Sequence, residues 1–217
     1  MTAAIAIYGA DGFGREVMPL ARVMGGVKRD AAFIDDDPLK QNTFVNGHPV
    51  ISFQQALSDG RSFCPAIANG SVRKQLARRI HAAGGQTLSI RAPSAIIYDE
   101  VLIGEGAILC DNVIVTSNVH IGRHFHANIY SYIAHDCVIG DFVTFAPRVS
   151  CNGRVIIQDH AYIGTGAVLR QGRHDKPLII GAGATVGMGA VVTKDVPPGT
   201  TVVGNPARPL EMKPSPC

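Results

Sequence analysis

The stretch IGRHFHANIYSYIAHDCVIGDFVTFAPRVSCNGRVIIQDHAYIG, residues 121–164, puts an apolar side chain at every sixth position: Ile121, Ala127, Ile133, Ile139, Phe145, Cys151, Ile157 and Ile163. The same step catches Ile97, Ile103, Leu109 and Val115 before it and Leu169 after it. At the chain's 46% apolar frequency, thirteen hits in a row have a chance of order 10⁻⁴ to 10⁻⁵. A step of six matches neither the 3.6 period of a helix nor an ordinary amphipathic strand of variable length. It fits a solenoid in which three short strands make one coil of about 18 residues, with each sixth residue pointing inward. Glycine follows the inward residue at Gly104, Gly122, Gly140 and Gly164, which suggests freedom to turn a corner. Small residues stand two positions before it, as Ala107, Ala161 and Ala184 do.

The register slips after Leu169, where the polar run 171–177 reads as an inserted loop. It resumes at Ile180, Val186 and Val192 and is expected to end near Pro197-Pro198-Gly199. His135 lies two residues past Ile133 and therefore belongs at a corner, facing outward.

The segment before the repeat has another grammar. Ile5-Ala6-Ile7-Tyr8 reads as a buried strand, Gly9 to Gly14 as a glycine loop, and 15–24 as a helix. Strand, glycine loop and helix together bring backbone N–H groups to a phosphate. The spacing is GxxGxG, so a tight turn without a ligand stays open. A second strand, 31–34, ends in Asp35-Asp36-Asp37, whose carboxylates suit ribose, a base or a turn cap. A third, 62–67, leads to Asn69-Gly70-Ser71 and a helix over 72–83. There Gly70 offers a bare amide, and Asn69 or Ser71 could simply cap. A strand over 87–90 closes this domain and 91–94 reads as the linker. The expected division is 1–92 as a nucleotide-binding α/β domain with a mostly parallel, half-Rossmann-like sheet, and 93–217 as the coil with a C-terminal tail. Some 92 residues suit a nucleotide diphosphate better than a dinucleotide.

Composition limits the alternatives. No apolar run reaches the roughly 18 residues of a bilayer span, and Ile5 to Tyr8 meets Gly9, Asp11 and Arg15 too soon for a signal peptide. Five widely spaced cysteines without a CxxC pair match a reducing compartment, so a soluble cytoplasmic protein is expected. Cys137 and Cys151 fall where buried thiols belong. The formal charge of +3 without a long basic run argues against nucleic acid and suits acidic small molecules.

The hexapeptide period over about 93–205 resembles the left-handed parallel β-helix of acyltransferases. The whole chain resembles the sialic acid O-acetyltransferase-like and bacillosamine-type N-acetyltransferase family. The segments that carry the likeness are Tyr8 to Glu16, Phe33-Ile34-Asp35-Asp36, Ala66-Ile67-Ala68-Asn69-Gly70 with Arg73, and Ile133-Ala134-His135-Asp136-Cys137-Val138-Ile139-Gly140. The family's acid after the histidine is commonly glutamate, where this chain has Asp136.

The resemblance implies transfer of acetyl from acetyl-CoA, a co-substrate, to the 4-amino group of a nucleotide-linked dideoxy amino sugar for O-antigen lipopolysaccharide, with GDP-perosamine the first choice. A UDP- or dTDP-linked 4-amino sugar and O-acetylation are alternatives. Histidine titrates near neutral pH and suits general-base work, but the chain has eight histidines. The family motif is what selects His135, oriented by Asp136. The resemblance further assigns the oxyanion donor to the Gly70 N–H, and the sugar nucleotide to Asp11, Gly12, Phe13, Gly14, Asp35, Asp36 and Gly70. It sets CoA near Thr144, Thr165 and Met188 in the groove between subunits of a homotrimer, with the insertion 170–176 near the CoA phosphates or merely solvated. No metal is expected. Two rivals compete: a zinc β-helix enzyme using His120, His124 and His126, and a non-catalytic nucleotide-sugar sensor.

Overall fold

The computed structural model describes residues 4–24 and 30–210. The C-terminal tail expected beyond the coil, with Cys217, lies outside them.

The first unit is a five-stranded sheet in the order β3-β4-β2-β1-β5. Strands β1 (Ile5–Tyr8), β2 (Ala31–Ile34) and β5 (Ser62–Pro65) run parallel, as the buried apolar runs predict. The hairpin β3 (Phe44–Val45) and β4 (His48–Ile51), and the short helix α2 (Phe53–Ser58), carry no periodic signal and were not anticipated. Residues of β1 alternate between the two sheet faces. Ile5 and Ile7 join helix α1 (Gly12–Val23) and the coil in one continuous core, while Ala6 and Tyr8 pack with Phe53, Phe63 and Ile80.

Both main helices start earlier than expected. Helix α1 begins at Gly12, so the glycine loop is shorter than six residues, and α3 spans Gly70–Ala82. Gly9 has φ +109°, a conformation open to glycine. A side chain on Gly14 would strike the Gly9 carbonyl oxygen, so Gly14 lets the helix settle on its own loop.

The second unit is a three-sided coil of parallel strands, a left-handed β-helix. Face one carries Ile90–Arg91, Ile108–Leu109, His126–Ala127, Thr144–Phe145, Tyr162–Ile163, Thr185–Val186 and Thr201–Val203. Face two includes Ile96–Ile97, Tyr132–Ile133, Ser150–Cys151 and Val168–Leu169; face three includes Val119–Ile121, Val138–Ile139, Val155–Ile157 and Leu178–Ile180. Every sixth-position residue from Leu109 to Leu169 is at most 5% exposed. Burying each is worth about 1.5–3 kcal/mol for the larger aliphatics.

Three expectations need correction. The strand over 87–90 is divided: Thr87 closes the first sheet by a bridge to Phe63 on the free edge of β5, while Ile90–Arg91 opens the coil by pairing with Ile108–Leu109. The supposed linker is therefore already coil. The repeat also runs past Pro197 to Val203, capped by the antiparallel pair Val203↔Arg208.

The third correction concerns corners. The glycines after the inward residues do not supply left-handed backbone. That role falls three places past the inward residue, at Glu100, Asn112, Asn118, His124, Tyr130, Asp136, Phe142, Arg148, Arg154 and His160, all at φ between 53° and 62°. Gly104, Gly122 and Gly140 are required for another reason: a Cβ on each would come 2.7 Å from backbone of the next coil. Tight stacking selects them.

Candidate active site

His135 and Asp136 occupy the corner between faces two and three. Asp136 has φ 59°, which aspartate tolerates better than most residues. The His135 Nδ1 lies 2.8 Å from Asp136 Oδ2. The His135 hydrogen bond, assisted by the Arg154 charge and Asn118, outweighs burial and holds the Asp136 carboxyl below its ordinary range. An ionised carboxylate only accepts, so Nδ1 carries the proton and Nε2 is left as an acceptor. The imidazole is 45% exposed, outward as the register predicts.

Directly one coil on from His135 lies Gly153. A Cβ there would stand 2.7 Å from Cε1 and Nε2 of the imidazole, so the ring lies against bare backbone. Among the described residues the Gly153 N–H has no acceptor. Elsewhere such corner amides recruit side chains from the next coil: Arg123 N–H donates to Asp141, and Asp141 N–H to Asp159. Sequence reasoning overlooked Gly153, although it is the one glycine two places past an inward residue between 99 and 171.

Gly70 lies elsewhere. Its Cα faces the Phe142 carbonyl and His160, at the corner between faces three and one. Asn69 caps α3 by accepting from Ser71 N–H and Val72 N–H, at 3.0 and 3.1 Å. Gly70 lines a cleft of about 410 Å³, together with Asn69, Ser71, His160 and Tyr162. A smaller recess of about 130 Å³ separates Phe13, at the start of α1, from Asn128 and Thr165. Glycine loop and Gly70 thus converge on face one. His135 stands a full face away, roughly 20 Å for six extended residues. Within one chain the structure does not bring Gly70 and His135 together.

The acidic groups are already occupied. Lys40 Nζ bridges Asp11 and Asp35, at 3.0 and 3.1 Å. Burial acts to raise the Asp35 carboxyl, but bonds from Asp37 N–H, Lys40 and Ala10 N–H outweigh it and leave it lowered. Asp36 accepts from the Tyr8 hydroxyl at 2.8 Å and pairs with Arg79 at 2.9 Å. Lys40 and Arg79 carry no motif, and only folding revealed them.

Of the three CoA candidates, Thr165 and Met188 are exposed at successive corners between faces one and two, Met188 at 82%. Thr144 is buried: its hydroxyl donates to Ala68 O at 2.8 Å and accepts from Arg73 at 3.1 Å. Its side chain binds the two units to each other. The insertion sits over the His135 corner, where Arg173 and His174 edge a groove of about 520 Å³ beside Asp136 and Arg154.

The histidines of the zinc alternative do not gather. His120 is exposed on face three, His124 stacks on Phe142 and His126 packs on Phe13. No group of three metal-ligating side chains occurs among the described residues, nor is any helix long and apolar enough to cross a membrane. Cys137 and Cys151 are buried, as expected, with sulfurs 4.0 Å apart.

The PglD N-terminal domain family matches residues 4–80. The chain is 49% identical over 215 residues to a GDP-perosamine N-acetyltransferase of Escherichia coli O157:H7, covering 97% of this chain and 96% of that one. Among solved structures, WeeI from Acinetobacter baumannii AYE is 56% identical, with TM-score 0.91 over 96% of this chain and 100% of its own. PerB from Caulobacter crescentus, in complex with CoA and GDP-perosamine, is 28% identical, with TM-score 0.86 over 97% and 99%.

Proposed function

Since the chain belongs to the family of sugar N-acetyltransferases that carry a PglD-type N-terminal domain, we propose that it acetylates the 4-amino group of GDP-perosamine from acetyl-CoA. The observation that carries the choice of sugar is the near full-length match to a protein of that name.

The chemistry needs a neutral amine, an acceptor for its proton, donors for the oxyanion and alignment. The sugar nitrogen attacks the thioester carbonyl, forming the C–N bond. The His135 Nε2 takes the proton from nitrogen, while Asp136 steadies the ring through Nδ1. The tetrahedral intermediate collapses with C–S cleavage, and the thiolate leaves as CoA, regaining a proton. The products are the N-acetyl sugar nucleotide and free CoA. The Gly153 N–H, beside the imidazole, is the oxyanion donor that the same chain offers. The Gly70 N–H is supplied across an interface, with the positive end of α3 behind it.

That division requires more than one copy, and a homotrimer supplies it. Face three presents an outward column of Leu102, His120, Val138, Ile156 and Ile179, apolar but for the exposed His120, with Leu102 63% and Val138 46% exposed. Such a stripe is costly in water and supports a subunit contact. Each coil then sets its His135 corner against the face-one cleft of a neighbour. In this arrangement the first unit holds the sugar nucleotide, with Asp11, Gly12, Phe13 and Gly14 at the pyrophosphate and Asp35 and Asp36 nearer ribose or base. Acetyl-CoA runs past Thr165 and Met188. The product feeds O-antigen synthesis from the cytoplasm.

Thiol release from acetyl-CoA, followed with GDP-, UDP- and dTDP-linked 4-amino sugars, tests the reading. GDP-perosamine is expected to give a kcat/KM at least about tenfold above the others. A uridine or thymidine preference would reassign the nucleotide, and an ester product would reassign the chemistry.

A further inference from the structure

The dyad has a third member on the coil beyond it. Asn118, Asp136 and Arg154 occupy equivalent corner positions 18 residues apart, all left-handed, at φ 58°, 59° and 58°. The carboxylate of Asp136 is gripped from both sides of this column. Asn118 Nδ2 reaches Oδ1 at 3.5 Å, and Arg154 Nη2 pairs with Oδ2 at 3.3 Å, the same oxygen that receives His135 Nδ1. Arg154 is fixed at its root too, since its N–H donates to the His135 carbonyl at 3.0 Å. It therefore holds the histidine's main chain and the side chain of the histidine's partner at once.

An exposed ion pair of this kind adds little to stability. Its value lies in geometry. The Asp136 side chain has rotational freedom, and a carboxylate turned towards solvent no longer keeps the proton on Nδ1. Resting on the function proposed above, the geometry points to Arg154 as a positioning residue that locks Asp136 in register with His135, so that Nε2 remains the acceptor for the amine proton. Arg173 and His174 border the same groove but make no hydrogen bond or ion pair to Asp136 among the described residues; they are not part of the lock.

The test uses the full chain with acetyl-CoA and GDP-perosamine. Arg154→Met is expected to lower kcat about tenfold with both KM values within about twofold. Arg154→Lys, which keeps a cation at the column, is expected to recover most of the loss. In an Asp136→Asn background, adding Arg154→Met is expected to cost nothing further, because the carboxylate that it positions is already gone. The proposal is overturned by an unchanged kcat in Arg154→Met, by a loss confined to KM, which would make Arg154 a substrate contact, or by losses that add in the double variant. A wild-type protein inactive on GDP-perosamine would overturn the functional reading and this proposal with it; an active wild type with an indifferent Arg154→Met would overturn this proposal alone.

Discussion

At position 135 the six-residue register predicts an exposed corner, and the imidazole is 45% exposed there. His135→Ala is expected to lower kcat at least about a hundredfold, the low end for a lost general base, with the unfolding midpoint nearly unchanged. An unaltered turnover rate would remove His135 from the chemistry. Gly153→Ala tests the close approach of ring and backbone, since its Cβ would stand 2.7 Å from the imidazole and push it out of line. A turnover loss of about tenfold or more is expected. Spacing placed His135 at an outward corner, and the resemblance to the acetyltransferase family singled out that histidine and Asp136. Neither could reveal Gly153, whose importance lies in a contact across coils and a missing acceptor.

At the scale of elements, the most deeply buried side chain that joins helix α3 to the coil is Arg73. Arg73 is wholly buried. It donates to the carbonyls of Ile67, Ala68, His124, Phe142 and Val143 and to the Thr144 hydroxyl, at 2.6 to 3.2 Å. This sets the loop before Gly70 against two successive coils. Arg73→Met leaves those acceptors dry and unpaired, which is expected to cost about 2–4 kcal/mol, read as a lower urea midpoint. Arg73→Lys should recover part of it. The helix itself was foreseeable from its pattern, and Asn69 and Ser71 were both open as its cap; only the fold shows Asn69 turning its side chain onto the first turn, which starts the helix at Gly70. The strand at Ile90 was misassigned for a related reason: a two-residue strand has no period of its own and takes its identity from its partner.

Across the whole molecule, the contact between the two units is lined by neutral histidines. Burial lowers His124 from 6.5 to about 4 and lowers His126 and His160 as well. His124 and His160 stack on either side of Phe142, at ring centroid distances of 5.0 and 5.3 Å. The unfolded chain therefore binds more protons than the folded one between about pH 6.5 and 4. Stability is fully present above that window and is lost as pH falls through it. Thermal unfolding at pH 5 is expected at a lower temperature than at pH 7, with a shallower dependence in His124→Phe; equal slopes would exclude His124 as a source. From the order of residues alone came the three-sided coil, the strand–glycine loop–helix unit and the outward imidazole, because those follow from local periodicity and from residue chemistry that does not depend on distant partners. The tertiary structure alone decided that Lys40 and Arg79 neutralise the acidic cluster, that Thr144 joins the units, and that Gly70 and His135 stand a face apart. Each of those is a distance between residues far apart in the chain, which no local pattern encodes.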